Sequence, residues 1–530
     1  MLFKLLSKRF RRPALVVIAQ TAMFSIASIA APVVVPHLAP VALVTSDATP
    51  LRAAPRDSAQ QQAVLWPGER VEVRGERMDY VQVWDHKRER GGFVRASQLR
   101  RTPLHAIDAP ELLAQVRLVR GTPGAEALGI GLAAAYIEAA PAQVLQGMAG
   151  LEAFDALGMM ADRLARRAST GQALGKSAET SLAAHLEVAT RYGLTFNSYE
   201  HGGRMQVCYE GEMFRRVLGM APALRRELPE TQWRAVSEMQ TRAALGLTRL
   251  ECTDPQRPAS DYQRLQVWRA DVLDKVDLQP LPVYLKNRIH MRRAAVHSSL
   301  AYQEARKLEG SAAALQLAER AISELASVSK TELPDDDQAA YNDAAMRVNA
   351  SRWAALPLAA ATTAAPKLPH IFTTPGQPGE TCVLLVDARH DATKPLARRC
   401  TFSVVWPQSA TINREGTALA LAVQPMEAWR ELWVFQKAGS EWRIDVLPPA
   451  TFQPDLGYAE FAGWVPGGSQ LLVAREARAS KDDGARYRRA YEVTRLTDLS
   501  VERQSPDPSS LGAFQRWQDP QWTKNSVSVR

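Results

Sequence analysis

The chain has 530 residues and a mass of 58.4 kDa, which is enough for about three or four domains. Hydrophobic residues make up 46% of it and charged residues 23%, which are globular values that exclude a disordered chain, a collagen-like fibre and a polytopic membrane protein. The net charge is +9, but the first thirty residues contain five basic residues and no acid, so the remainder carries only +4. So small a charge does not indicate a nucleic-acid partner.

The N-terminus has the pattern of an export signal. A basic segment ends at Arg12, a mostly apolar run extends from Ala14 to Ala31, and the small residues Ser28 and Ala30 define a cleavage site after Ala30. The length of the apolar run is also close to the lower limit for a membrane-spanning helix. We therefore predict a signal peptide over residues 1–30 and a periplasmic protein. The alternative is an uncleaved anchor in the inner membrane, which would then be the sole membrane contact.

The cysteines form two local pairs in the sequence, and this arrangement agrees with export. Even numbers of cysteines in local pairs are typical of oxidising compartments. We therefore predict two disulfides, Cys208–Cys252 and Cys382–Cys400. Because no C-x-x-C spacing occurs, a zinc site is disfavoured, and we predict no metal.

Residues 41–102 alternate short apolar runs with turn residues. The segment Tyr80–Trp84 has the period of two that is typical of a half-buried strand. The chain order of four segments resembles the bacterial SH3-like (SH3b) domain: Leu51–Pro55, Gly68–Val73, Asp79–Val83, and Gly92–Val94 with Leu99. The resemblance implies a small β-barrel. Members of that family bind cell-wall peptides or other proteins.

The aromatic residues of this segment are the candidate binding residues: Trp66, Tyr80, Trp84 and Phe93. Aromatic side chains on a small barrel can form a groove for an extended peptide or glycan. Because side chains alternate along a strand, Tyr80 and Trp84 share one face, and Val81 and Val83 share the other. If the valines are inside, the two aromatic rings form an outer patch. The alternative is that the aromatic rings fill the core of the barrel.

Residues 104–366 have a helical composition, rich in Ala, Leu, Glu, Arg and Gln. Within the segment 311–328, four residues recur at helical spacing on one face: Leu315, Ala318, Ile322 and Leu325. Together with the preceding segment 289–308, this segment resembles a helical hairpin of the tetratricopeptide type. No repeat of the corresponding period occurs, so we do not predict a repeat array.

Residues 368–530 have the composition of a β domain. Gly416 and Gly468 each lie in a turn that is followed by an apolar strand and then a second strand. The two segments resemble blades of TolB and WD40-like β-propellers. Because the region is too short for a closed propeller, we predict a compact antiparallel sheet or an incomplete propeller. With a linker at Ala360–Pro369, the whole chain is predicted to be a multidomain α+β protein.

Several short patterns resemble catalytic or metal-binding motifs without their usual context. The segment Gly171–Ser177 has one residue too few for a phosphate-binding loop, and Ser327–Lys330 matches S-x-x-K without its companion motifs. His290 and His297 share a helical face but have no acid at ligand spacing. The most site-like loop is Tyr199–Gly203, which contains Glu200 and His201.

These patterns do not identify a catalytic residue or a cofactor, and we predict neither. The first hypothesis is a non-enzymatic binding or scaffold protein of the cell envelope, with peptidoglycan or envelope proteins as partners and no nucleic acid. The alternative is a cell-wall or peptide hydrolase that the SH3-like module brings to its substrate. Its site would then lie near Tyr199–Cys208.

The signal and cysteine predictions are tested together by the intact mass of the protein from envelope fractions, measured without reductant. We expect a mass that corresponds to a chain starting at Ala31 with no free thiol. A full-length chain with four titratable thiols, recovered from the cytosol, would contradict both predictions.

Overall fold

The computed structural model describes residues 40–171, 175–201, 204–307, 311–357, 368–387, 389, 391–451, 455–478 and 487–525. These residues belong to one compact unit that begins at Pro40. The predicted signal peptide, 1–30, and most of the predicted linker, 360–367, lie outside the described residues. The structure confirms the predicted order of a strand-rich N-terminal region, a helical central region and an antiparallel C-terminal sheet region.

The N-terminal region is one antiparallel sheet with the strands β1 (Val41–Val44), β2 (Thr49–Arg52), β3 (Gln61–Leu65), β4 (Arg70–Arg77), β5 (Tyr80–Asp85), β6 (Arg90–Arg95) and β7 (Leu99–Arg101). Their hydrogen-bonded order is β3-β2-β6-β5-β4-β1-β7. Alternation along the strands builds an apolar core on one face, which contains Val81, Val83 and Val94. The valines of β5 are therefore inside, as the first of the two alternatives predicts.

The central region contains the helices α1 (Ala109–Val119), α2 (Glu126–Ala139), α3 (Ala142–Leu145), α4 (Met148–Gly171), α5 (Lys176–Arg191), α6 (Glu212–Glu227), α7 (Glu230–Leu247), α8 (Ala259–Asp274), α9 (Val283–Ala305), α10 (Ser311–Ala326) and α11 (Gln338–Ser351). Pro229, Pro258 and Pro282 directly precede α7, α8 and α9, because at the start of a helix the missing N–H of proline costs no helical hydrogen bond. On α10, Ala318 and Leu325 are buried, so the predicted apolar face is confirmed.

A β-hairpin interrupts the helices, and it corrects one prediction. Strands β8 (Phe196–His201) and β9 (Arg204–Tyr209) pair in antiparallel register, with Glu200 opposite Met205. The site-like loop predicted at Tyr199–Gly203 is therefore strand up to His201. Cys208 on β9 is bonded to Cys252, which follows α7, so the first predicted disulfide ties the hairpin to the helices.

The C-terminal region contains three paired strands, β10 (His370–Pro375), β11 (Thr381–Val386) and β12 (Ala397–Thr401), in which Cys382 is bonded to Cys400. A larger sheet follows, made of β13 (Val404–Ile412), β14 (Ala418–Met426), β15 (Trp429–Ala438), β16 (Glu441–Leu447), β17 (Gly457–Val465), β18 (Gln470–Arg478), β19 (Tyr487–Arg495) and β20 (Val501–Ser505). Two short helices, α12 (Gly512–Trp517) and α13 (Pro520–Asn525), lie after it.

The larger sheet is two antiparallel meanders of four strands each. Strands β13 to β16 form the first meander and strands β17 to β20 the second, and a short parallel pairing of β15 with β17 joins them. The two similar turns, at Gly416 and at Gly468, are in contact with each other. The backbone N–H of Gly467 donates a hydrogen bond to the Glu415 carboxylate at 3.0 Å. The sheet is therefore antiparallel-rich, with internal similarity between its halves.

Gly68, in the turn between β3 and β4, is in tight contact with the helices. Its φ of +82° is accessible mainly to glycine, and a Cβ there would lie 2.2 Å from the carbonyl oxygen of Ala127 on α2. The Tyr192 hydroxyl donates to the Gly68 carbonyl at 2.7 Å, and Arg191 lies 3.1 Å from Glu69. The sheet is thus packed against α2 and α5.

The helices also contact the C-terminal sheet through polar side chains. Tyr302 on α9 donates to the Pro425 carbonyl at 3.0 Å, and Tyr262 on α8 donates to Glu427 at 2.8 Å. Arg352, in a short 3₁₀ helix after α11, forms a buried ion pair with Glu460 on β17. None of the helices in the described part of the chain is both long and apolar enough to cross a bilayer.

The packing of Gly68 predicts a stability difference between two glycine substitutions. Gly193 also has a left-handed φ, +79°, but nothing lies within 4 Å of the position a Cβ would take. We expect Gly68→Ala to lower the free energy of unfolding by more than about 3 kcal/mol, and Gly193→Ala by about 1 kcal/mol. Urea denaturation measures both values, and equal losses would contradict the tight contact with Ala127.

Candidate functional site

Three of the four predicted binding residues lie on one face of the N-terminal sheet. Strands β5 and β6 pair Tyr80 with Arg95, Gln82 with Phe93, and Trp84 with Gly91. Because paired residues of an antiparallel sheet point to the same side, Tyr80, Trp84 and Phe93 lie opposite the valine core. We call this side the outer face.

Trp84 is half-buried on the outer face. Its ring packs across Gly91, where a Cβ would lie 3.3 Å from the ring, and the Arg74 guanidinium lies 4.4 Å from the ring centroid. Glu72 accepts hydrogen bonds from Arg74 at 3.0 Å and pairs with His86 at 2.7 Å. Both bonds lower the pKa of Glu72, and the bond from Arg74 has the larger effect. The carboxylate thus holds a cation beside the indole.

Tyr80 supports the outer face but does not present its ring, since it is only 3% exposed. Its hydroxyl donates to Asp57 at 2.6 Å, and this bond to a carboxylate raises the pKa of Tyr80. Arg95 binds the same carboxylate and lies over the tyrosine ring, 5.3 Å from its centroid. The accessible part of the outer face is therefore made by Trp84, Phe93 and the exposed Gln82.

Trp66, the fourth predicted residue, lies apart from the other three. Its ring makes an edge contact with His185 on α5, at 6.1 Å between centroids. The Nε2 atom of His185 is in turn 2.7 Å from the Asp47 carboxylate. Trp66 thus belongs to the contact between the sheet and the helices.

A large cleft, which sequence reasoning missed, lies among α4, α7, α9, α11 and the edge of the C-terminal sheet. Its volume is about 1330 Å³. Eight arginines and seven acidic residues line it, so the cleft is not a uniformly cationic channel of the kind that nucleic acids require. The charges at its two ends are arranged differently.

At the helical end, acidic and basic side chains share partners. Asp162 on α4 lies 2.9 Å from Arg166 and 2.6 Å from Arg249, and Arg249 also lies 2.9 Å from Glu251. Burial alone would raise the pKa of Glu251, but the nearby Arg249 and Arg292 lower it to about 2. Glu251 is therefore an anion at any physiological pH.

At the sheet end, arginines are held in direct ion pairs with carboxylates. Arg478 on β18 lies 3.0 Å from Asp343 and 2.6 Å from Asp455. The Tyr487 hydroxyl donates to Asp343 at 2.7 Å. Burial raises the pKa of Tyr487, and the Asp343 carboxylate raises it further. Arg288 lies 2.8 Å from Asp337. Arg288 and Arg478 thus each contact a carboxylate at this end of the cleft.

The motif-like segments take ordinary structural positions. Ser327 Oγ donates back to the Ser323 carbonyl at 2.9 Å, and Lys330 Nζ lies 5.2 Å from the ring centroid of Tyr341. Lys176 and Ser177 begin α5, while residues 172–174 of the same pattern lie outside the described residues.

The two helical histidines have separate environments. His290 Nδ1 lies 2.7 Å from Glu324, whereas His297 is buried and neither of its ring nitrogens has a hydrogen-bond partner among the described residues. Burial lowers the pKa of His297 to about 4. Glu380, Cys382 and Cys400 come within metal-binding distance of one another, but both sulfur atoms belong to the disulfide.

Comparisons of the chain with protein-family models, with curated proteins and with solved structures found no match. The functional argument therefore depends on the geometry of the outer face and of the cleft.

The environment of His297 predicts a pH dependence of stability. Its folded pKa, about 4, lies below its unfolded value of 6.5. The unfolded chain therefore binds more protons in this window, so stability is present above pH 6.5 and is lost as pH falls towards 4. We expect His297→Leu to reduce this loss by about 3 kcal/mol.

The measurement is the difference in unfolding free energy between pH 7 and pH 4.5 for the wild type and the variant. The exposed His105 provides a control, and His105→Gln should leave the difference unchanged. An equal acid loss in the wild type and in His297→Leu would show that His297 is not the titrating group.

Proposed function

We propose that this chain is an exported, non-enzymatic protein of the cell envelope that binds an extended peptide or glycan through the outer face of an SH3-like module. The observation that carries the proposal is the register of β5 and β6, which places Trp84 and Phe93 beside the exposed Gln82. The recorded hydrogen bonds and ion pairs of Tyr80, Arg74 and Arg95 stay within the N-terminal sheet. The outer face is thus available to a partner.

The chemistry of this face suits a glycan or an extended peptide. An indole edge and a phenyl ring offer apolar contact area with little loss of conformational entropy, and the amide of Gln82 can donate and accept hydrogen bonds. Arg74 and Arg95 flank the rings, so carboxylates of cell-wall peptides would find cations beside the aromatic contact. Peptidoglycan carries both glycan and acidic peptide, and it is our first partner candidate.

The family-level assignments are also proposals. The seven-stranded antiparallel sheet supports an SH3-like barrel, and the packing of α9 along α10 supports a tetratricopeptide-like hairpin. The two meanders of four strands support blade-like units. Periplasmic location is supported by the signal-like N-terminus and by two disulfides, which persist in oxidising compartments. An inner-membrane anchor facing the periplasm remains the alternative form.

The cleft favours a second candidate function, a cell-wall or peptide hydrolase. A cavity of about 1330 Å³ with converging polar groups can hold a substrate. The hairpin that carries Glu200 borders this cleft through Met205 and Gln206. The two functions can be distinguished by incubating the protein with its target. A hydrolase releases soluble fragments from the target, whereas a binding protein retains the target intact.

The binding proposal is tested by cosedimentation with purified peptidoglycan and by capture of envelope proteins, with the purified full chain. We expect Trp84→Ala and Phe93→Ala each to weaken binding at least about tenfold, since central aromatic residues commonly dominate such contacts. Trp517→Ala is the matched control, because Trp517 is 43% exposed on α12 and lies outside the outer face.

Two results would contradict the proposal. One is that neither peptidoglycan nor an envelope protein is enriched by the wild-type chain. The other is that Trp84→Ala and Phe93→Ala, shown to be folded by circular dichroism, bind as tightly as the wild type. Release of soluble muropeptides or peptides that Glu200→Ala abolishes would instead support the hydrolase.

A further inference from the structure

The helical end of the cleft brings together charged side chains that are far apart in the sequence. Asp162 and Arg166 come from α4, Glu251 from the segment after α7, and Arg292 from the middle of α9, and all four line the cleft. The buried Arg249, also after α7, contacts both carboxylates. Three guanidinium groups thus meet two carboxylates. This group of five side chains therefore has an excess of one cation.

The pairing pattern identifies Arg292 as the excess cation. Asp162 contacts Arg166 and Arg249, and Glu251 contacts Arg249, as described above. The described residues form no ion pair with Arg292 within 4.0 Å. Its Nη1 atom donates only to neutral acceptors, the Leu245 carbonyl at 3.3 Å and the Thr248 hydroxyl at 3.4 Å.

Arg292, which lines the cleft, has N–H donors that are not used within the described part of the protein. A guanidinium carries five N–H donors, and the two long bonds of Arg292 use only those on Nη1. Burial lowers the pKa of Arg292 to about 10 against the opposing effect of the Glu251 carboxylate, so the side chain is still charged at neutral pH. An enclosed guanidinium with no carboxylate in direct contact is costly, and an anionic group bound to it would offset that cost.

The rest of the lining indicates what carries the anion. Apolar side chains stand close to the charged cluster along the same walls: Met159, Met205, Leu245, Leu250 and Met291. A volume of about 1330 Å³ exceeds what a free ion needs and accommodates a molecule of several residues. Methionine side chains adapt to ligands of irregular shape. The lining therefore suits a partly apolar molecule with an anionic end.

We propose that the helical end of the cleft is a binding site for an oxyanion, a carboxylate or a phosphate, carried by a partly apolar ligand and held by Arg292 with Arg166. This site is distinct from the outer face of the N-terminal sheet, and it does not depend on the function proposed above. Arg166 contributes because its side chain is 53% exposed and only its Nε is engaged by Asp162, at 2.9 Å. Bidentate guanidinium contacts are the usual means of holding such groups.

The experiment uses isothermal titration of the full chain with four probes at constant ionic strength. The probes are N-acetyl-trialanine with a free carboxylate, the same peptide as its C-terminal amide, sodium phosphate, and sodium chloride. We expect the wild type to bind the acid peptide or phosphate, and to bind the amide at least tenfold more weakly than the acid. Binding of phosphate without the peptide assigns a phosphate ligand, and the reverse assigns a carboxylate ligand.

The variants isolate the guanidinium charge. Arg292→Gln keeps a donor near Leu245 but loses the charge, and it should weaken binding of the anionic probes at least tenfold. Arg166→Gln changes an exposed side chain, so the fold is retained, and it should weaken binding at least threefold. Arg234→Gln is the matched control, because Arg234 is exposed on α7 and does not line the cleft.

The proposal is overturned if the wild type binds neither anionic probe above the sodium chloride background. It is equally overturned if the folded Arg166→Gln and Arg292→Gln variants bind as tightly as the wild type. Should Arg292→Gln not fold, Arg166→Gln and the comparison of acid with amide decide the outcome.

Discussion

A buried carboxylate between two arginines joins the helical region to the C-terminal sheet, and the cleft depends on it. Glu460 on β17 pairs with Arg352 after α11 and lies 3.6 Å from Arg430 on β15. Burial, and then the charge of Arg352, lower the pKa of Arg430 well below its usual value. Removing one member of such a cluster leaves an uncompensated buried charge, which costs about 3–5 kcal/mol. The contact therefore fixes α11 on the sheet, and with it one wall of the cleft.

The N-terminal sheet is also held against the helices by specific contacts. Gly68, between β3 and β4, is in tight contact with Ala127 on α2, and Trp66 is in contact with His185 on α5. The sheet is part of the packed unit, and its aromatic residues are divided between two roles. Trp66 serves the internal contact, whereas Trp84 and Phe93 stay on the outer face.

Patterns of neighbouring residues in the sequence predicted the features that depend on neighbouring residues, such as the two faces of a strand and local cysteine pairs. The period of two in Tyr80–Trp84 correctly separated the two faces of β5 but left open which face is the core, and the structure buries the face of Val81 and Val83. The spacing of the cysteines predicted the two pairs that lie at disulfide distance. The β8–β9 hairpin was missed because its strands are short and lie within a helical composition. The cleft could not be predicted, since Asp162, Glu251 and Arg292 meet only through the packing of three separate helical segments.

The charges in the cleft also distinguish binding from acid–base chemistry. A general acid or base works best with a pKa near the working pH. Glu251 has a pKa of about 2 and Arg292 one of about 10, so both keep their charges from about pH 3 to pH 9. A site whose charges do not change over this range can hold an ion in a fixed field, but these two groups cannot exchange protons with a substrate.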